Sequence, residues 1–97
     1  MEFPLTNSLN FKKRPACVID DSDDKDIIVC RVTSQIYNTQ NDIFIKDWKE
    51  SGLQLPSIIR VHKIATLEKS MLKLVMGEIN NITKQKVKNQ FLKLIED

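Results

Sequence analysis

Two short segments of this chain carry side chains whose types and spacing suit chemistry on a phosphodiester. Lys12-Lys13-Arg14-Pro15 opens the apolar run Ala16 to Ile19, and Thr33-Ser34-Gln35 closes the apolar run Ile27 to Val32. Read as neighbouring antiparallel strands joined by the acidic turn Asp20 to Asp26, these runs set the start of the first beside the end of the second, which brings Arg14 towards Thr33. A guanidinium is planar and permanently charged, so it can grip two phosphate oxygens at once, and a threonine hydroxyl can both donate and accept. Ser34 and Gln35 can contact phosphate or a base edge, and Tyr37 can stack on a base. Lys12 and Lys13 add a local basic cluster.

Metal-free RNA cleavage has three needs: attack by the neighbouring 2′-hydroxyl, charge stabilisation on the phosphoryl oxygens, and proton transfer at both ends. Arg14 meets the second, and Thr33 can orient the phosphate or the hydroxyl. No general base is evident. Arginine has far too high a pKa for that role. His62 is the only histidine, which excludes a two-histidine ribonuclease site; it reads as a surface or strand-face residue.

These residues need a scaffold. Pro15 to Asp20 and Ile27 to Thr33, rich in Val, Ile and Cys between charged turns, predict a hairpin, with the acidic block between them a solvated loop. Ile36 to Asn41 predicts an exposed loop ahead of a short strand, Asp42 to Lys46. Asp47 with Glu50 three residues on has capping-box spacing and Gly52 suits a left-handed cap, so a short helix is expected over Trp48 to Ser51, with Trp48 packed on the core. Ser57 to Thr66 reads as one strand or two broken ones, Leu67 to Ser70 as a helical turn capped by Thr66, and Met71 to Ile79 as a half-buried strand with its methionines in the core. Thr83 is the expected N-cap of a C-terminal helix. Its stripe of Val87, Phe91, Leu94 and Ile95, with Leu92 beside it, is expected to pack on the sheet while Lys84, Lys86, Lys88 and Lys93 face outward.

At 97 residues and 41 % hydrophobic content, the chain has apolar material for one modest core, hence a single domain over residues 1–97. Its 15 basic and 13 acidic side chains nearly cancel, so any nucleic-acid contact must come from local clustering. Cys17 and Cys30 lie inside apolar runs and read as buried, reduced thiols. One histidine and two cysteines make no four-ligand zinc set, and the acidic turn lacks the glycine and glutamate of a calcium loop; no metal or other cofactor is expected. No run is long enough to span a bilayer and the N-terminus is too polar for a signal peptide, so the expected address is the cytoplasm.

At these residues the chain resembles the MazF/PemK-like toxins of bacterial toxin–antitoxin systems. Phe3-Pro4-Leu5-Thr6 looks like the family's loop before its basic-Arg-Pro strand. Asp47-Trp48, Ser51-Gly52-Leu53 and Pro56-Ser57 look like its middle segment; Arg60, Lys63-Ile64-Ala65-Thr66-Leu67 and Gly77 continue the match in order. Members usually begin with a Gly-Asp-Ile/Val strand, whereas this chain starts at Met1-Glu2-Phe3. The resemblance therefore implies a mostly β fold with helices: an SH3-like small barrel short of its first strand, plus the C-terminal helix. It further implies Arg14 and Thr33 as catalytic residues of a metal-independent endoribonuclease that cuts single-stranded RNA, such as mRNA, and leaves a cyclic phosphate. A homodimer held inactive by a cognate antitoxin would complete the picture. Two rival readings share the fold: a CcdB-like toxin that binds gyrase without cutting RNA, and a truncated homologue that only binds antitoxin.

Overall fold

The structure is a computed structural model, and it describes residues 4–8, 15–21 and 25–96, with the side chains of residues 4, 7, 8 and 71–76 excepted. Lys12, Lys13 and Arg14, and the core placement expected for Met71 and Met76, lie outside the described residues. Among the described residues, six strands, β1 (Pro4–Ser8), β2 (Pro15–Asp20), β3 (Asp26–Thr33), β4 (Asp42–Phe44), β5 (Ile58–Glu68) and β6 (Leu72–Glu78), precede one helix, α1 (Asn81–Ile95). They form one antiparallel sheet in the order β4-β5-β3-β2-β1-β6, unclosed among the described residues. Mostly antiparallel β with a C-terminal helix is the architecture expected from the sequence.

Alternation along β2 and β3 divides the core. Cys17, Cys30 and Val32 point to one face, where they pack with Leu5, Ile45, Ile59, Val61 and Val87. Ala16, Val18, Ile27 and Val29 point to the other, where Leu67 joins them. A strand apolar on both faces belongs in the interior of a sheet, and β3 lies between β2 and β5. Cys17 and Cys30 face each other across β2 and β3 as free, buried thiols, as expected. Burial pushes the Cys30 thiol up to about 11 and raises Cys17 further, so both are inert packing groups.

The ambiguity between one strand and two over Ser57 to Thr66 has a physical origin. Strand β5 is continuous, but its pairing with β3 jumps from Cys30↔Ile64 to Arg31↔Arg60, leaving residues 61–63 out of the ladder. The backbone groups of Val61 find other partners: its amide donates to the Asn41 carbonyl at 2.9 Å, and its carbonyl accepts from the Cys30 thiol at 3.4 Å.

Several expectations need correction. Pro4-Leu5-Thr6, likened with Phe3 to a loop, belongs to a strand, Pro4–Ser8, paired to β2 on one side and β6 on the other. The segment at Trp48 to Ser51 closes one turn rather than a helix: the Ser51 amide donates to the Asp47 carbonyl at 2.9 Å, and the chain then leaves through Gly52 at φ 92°. Bonds from the Gly52 amide to the Lys49 carbonyl and the Leu53 amide to the Trp48 carbonyl make this a Schellman closure. With the left-handed cap so soon after Asp47, there is no room for a second turn; Trp48 packs on the core as expected. Leu67 and Glu68 belong to β5, and the short 3-10 turn that follows is Lys69–Met71. The cap of α1 is Asn80, whose Oδ1 accepts from the Thr83 amide at 2.8 Å, so the helix starts two residues before Thr83. Thr83 is itself buried. Of the stripe on α1, Val87 is buried and Phe91 packs on the core, whereas Leu92 (52 % exposed), Leu94 and Ile95 (66 %) are left open. An apolar groove of about 610 Å³ lies between the helix and the sheet, lined by Ile19, Ile28, Val87, Phe91 and Leu92.

The sheet curls far enough for its two ends to meet. The turn that follows the β4 edge lies against β6, the opposite edge, where a Cβ on Gly77 would run into the Ser51 carbonyl group. Both parties are backbone, so neither can swing aside. Gly77→Ala should cost roughly 1–3 kcal/mol through forced backbone displacement, a lowering of Tm by about 4–20 °C for a domain of this size, read by thermal unfolding. Asn80→Ala should cost about 1 kcal/mol as a lost cap, measured by denaturant titration.

Candidate functional site

The two-sided apolar character of β3 ends at Arg31. On the face that carries Ala16, Val18 and Val29, the next positions are Arg31, exposed, and Thr33, half-buried. Cross-strand register fixes their neighbours. Arg31 is opposite Ala16 on β2 and Arg60 on β5, Arg60 is opposite Asp42 on β4, and Thr33 is opposite Ile58. Directly opposed side chains of an antiparallel pair share a face, so Asp42, Arg60, Arg31, Ala16 and Thr6 form one row across five strands. Thr33 lies two residues along β3 from that row.

Two cations placed opposite each other repel, and Asp42 resolves the conflict for one of them. Its Oδ1 accepts from Arg60 Nε at 2.9 Å, with the two side chains 2 % and 12 % exposed. Burial works against the charge on Asp42, yet hydrogen bonds from the Thr39 hydroxyl and amide, with Arg60, hold its carboxyl below the usual range. Arg31, by contrast, is solvent-exposed and has no ion pair among the described residues.

The loop between Thr33 and Asp42 is tied at several points. The Gln35 amide donates to Thr33 Oγ1 at 3.1 Å, an ST turn that fixes the threonine side chain at the strand end. Tyr37 lays its ring on Arg60, with the guanidinium carbon 3.8 Å from the ring centroid. Thr39 closes a turn on Asp42, and Asn41 accepts at its carbonyl from Val61 and at Oδ1 from Gln90 Nε2 on α1 at 2.8 Å. The loop predicted from composition is therefore ordered by β5 and the helix.

Of the residues singled out from sequence, Thr33, Ser34, Gln35 and Tyr37 fall on this one strand end and loop, with Ser34 and Gln35 exposed. Arg14, Lys12 and Lys13 lie outside the described residues; Pro15, which follows Arg14, begins β2. His62 sits in the unpaired step of β5, half-buried, with a buried Nδ1 that has no hydrogen-bond partner among the described residues. It is a strand-face residue. Arg31 was missed because it stands inside a run that otherwise reads as core. The signal was its place two residues before Thr33, where alternation demands the same face. No group of three or more His, Cys, Asp or Glu side chains among the described residues could hold a metal ion, and none of the described helices is long and apolar enough to cross a membrane.

The family model for the PemK-like, MazF-like toxin of type II toxin–antitoxin systems matches residues 3–95. The chain belongs to this family. It is therefore a MazF-family toxin, and its architecture is shared with solved structures of low sequence identity. One is the Mycobacterium tuberculosis toxin MazF-mt6, at 14 % identity, TM-score 0.82 and 93 % coverage of both chains. A second is a mycobacterial endoribonuclease solved in complex with its cognate antitoxin, at 16 % identity and TM-score 0.79, covering 96 % of this chain and 91 % of that one. A third is MazF in a MazE–MazF complex from Deinococcus radiodurans, at 14 % identity and TM-score 0.77, covering 95 % and 91 %. No curated protein matches the sequence.

The depressed Asp42 pKa makes a stability prediction. A carboxyl held below its unfolded value of about 3.8 contributes stability that is fully present above that pH and is lost as pH falls through the folded pKa. Wild-type stability should therefore fall on acidification below about pH 4 more steeply than that of Asp42→Asn, which lacks this titration. Denaturant midpoints at stepped pH read the difference.

Proposed function

We propose that this MazF-family toxin is a metal-independent endoribonuclease that cuts single-stranded RNA, with Arg14 and Thr33 as its catalytic pair. The observation that carries the reading is the β2–β3 register. Arg14 is two residues before Ala16 and Thr33 is two residues after Arg31, and Ala16 and Arg31 are directly paired. The hairpin on which the pairing of Arg14 with Thr33 depends is thus present, with Thr33 held by its ST turn at the end of β3.

In this reading Arg14 binds the scissile phosphate and stabilises the charge that builds on its non-bridging oxygens as the 2′-hydroxyl attacks phosphorus. Thr33 orients the phosphate or the attacking hydroxyl. The P–O5′ bond breaks, leaving a 2′,3′-cyclic phosphate on one fragment and a 5′-hydroxyl on the other. Lys12, Lys13, Ser34, Gln35 and Tyr37 hold the flanking nucleotides. The names of two structural neighbours, an endoribonuclease with its cognate antitoxin and a MazE–MazF complex, support an antitoxin as the protein partner. A homodimer acting in the cytoplasm is proposed on family resemblance.

Purified protein incubated with a long single-stranded RNA in excess chelator should yield discrete fragments ending in cyclic phosphate. Arg14→Ala and Thr33→Ala should each lower the rate at least about 100-fold, as loss of one transition-state contact does elsewhere, with circular dichroism unchanged. Intact RNA in the presence of folded wild-type protein would overturn the proposal.

A further inference from the structure

The row beside Thr33 holds two groups that the cleavage step does not use. Arg31 is an exposed cation without an ion pair among the described residues. Arg60 is a nearly buried cation neutralised by Asp42 and covered by the Tyr37 ring. We propose that together they form a one-nucleotide subsite flanking the scissile phosphate: Arg31 takes the neighbouring phosphate, and Tyr37, backed by Arg60, stacks the unpaired base. The inference rests on the RNA-cleaving reading and adds two residues, Arg31 for binding and Arg60 for positioning, which the catalytic pair does not require.

The geometry sets the spacing. Thr33 is directly opposite Ile58, and Arg60 is two residues further along β5 on the same face, about 6.6 Å away at strand rise. That offset is of the order of one nucleotide step in an extended strand, so a strand whose phosphate lies at Thr33 brings its next phosphate alongside the Arg31–Arg60 pair. The division of labour between the two arginines follows from Asp42. Because the carboxylate takes up Arg60 Nε, the charge left open to an incoming phosphate is that of Arg31.

Arg60 then acts on the base indirectly. Its guanidinium is clamped from one side by Asp42, which is itself fixed by two bonds from Thr39, and its central carbon lies over the Tyr37 ring, 3.8 Å from the centroid. A ring on an exposed loop would otherwise lose rotamer freedom on binding a base, a cost that weakens stacking. Here the ring is set beforehand, and 37 % of Tyr37 stays open to solvent. Aromatic stacking accepts any base, so the subsite recognises an unpaired nucleotide by its π face and its phosphate.

Binding of 2′-fluoro oligoribonucleotides tests this without cleavage, because the attacking hydroxyl is absent. Fluorescence anisotropy would compare normal strands with an abasic sugar-phosphate strand of equal length. Wild type should prefer the strand with bases by about tenfold or more, the usual worth of one stacked base. Tyr37→Ala should lose that preference and Tyr37→Phe keep it. Arg60→Lys, which keeps the charge and loses the flat surface, should reduce the preference while leaving binding of the abasic strand unchanged. Arg31→Gln should weaken both strands alike and lower the slope of log affinity against log salt by about 0.7, one phosphate on a single strand. An unchanged base preference in Tyr37→Ala, or an unchanged salt slope in Arg31→Gln, overturns the subsite while leaving the catalytic pair standing. If folded wild-type protein binds neither strand and leaves natural RNA intact, the cleavage reading falls and the subsite with it. If it cleaves natural RNA yet shows no base preference, the subsite alone falls.

Discussion

Everything in this molecule depends on β3 being buried on both faces for most of its length and on one face becoming polar near its end. Side chains alternate across a strand, so Ile27 and Val29 feed one cluster while Cys30 and Val32 feed the other. Such a strand is stable only with neighbours on both edges, and β2 and β5 supply them. The next positions on the first face are Arg31 and Thr33, which no core can absorb. The place where burial gives way to solvent is where groups suited to phosphate collect.

The second constraint is electrostatic. Register places Arg31 against Arg60, an unfavourable opposition that would cost stability if nothing intervened. Asp42 on the adjoining strand neutralises one partner and leaves the other charged towards solvent. The same carboxylate anchors Thr39 and so shapes the loop bearing Tyr37, while Gln90 reaches Asn41 from α1. Sheet pairing and loop shape thus meet at Asp42, and a change there would move both.

The β3–β5 pairing skips residues 61–63, while the Val61 amide, next after Ile59 in the β4–β5 ladder, holds the Asn41 carbonyl and brings the loop after Thr33 down onto the sheet. Across the molecule, Gly77 admits the Ser51 carbonyl so that the turn beyond β4 can meet β6. Local irregularities in β5 and β6 are thus what let an open sheet curl around its core.

The sequence by itself determined the β2–β3 hairpin, the buried thiols, the core role of Trp48, the left-handed exit at Gly52 and the C-terminal helix, because each follows from local alternation, side-chain size or backbone sterics. Thr33 and Tyr37 were legible as candidates from residue type and place in the chain. Only the tertiary structure decided that Asn80 rather than Thr83 caps the helix, that Pro4–Ser8 is a strand, and that Leu92, Leu94 and Ile95 are left open. A cap, an extended segment or a helix face is chosen by what packs beside it. The row of Asp42, Arg60 and Arg31 was likewise invisible in one dimension: the three residues come from three strands, and only the register of the sheet makes them neighbours.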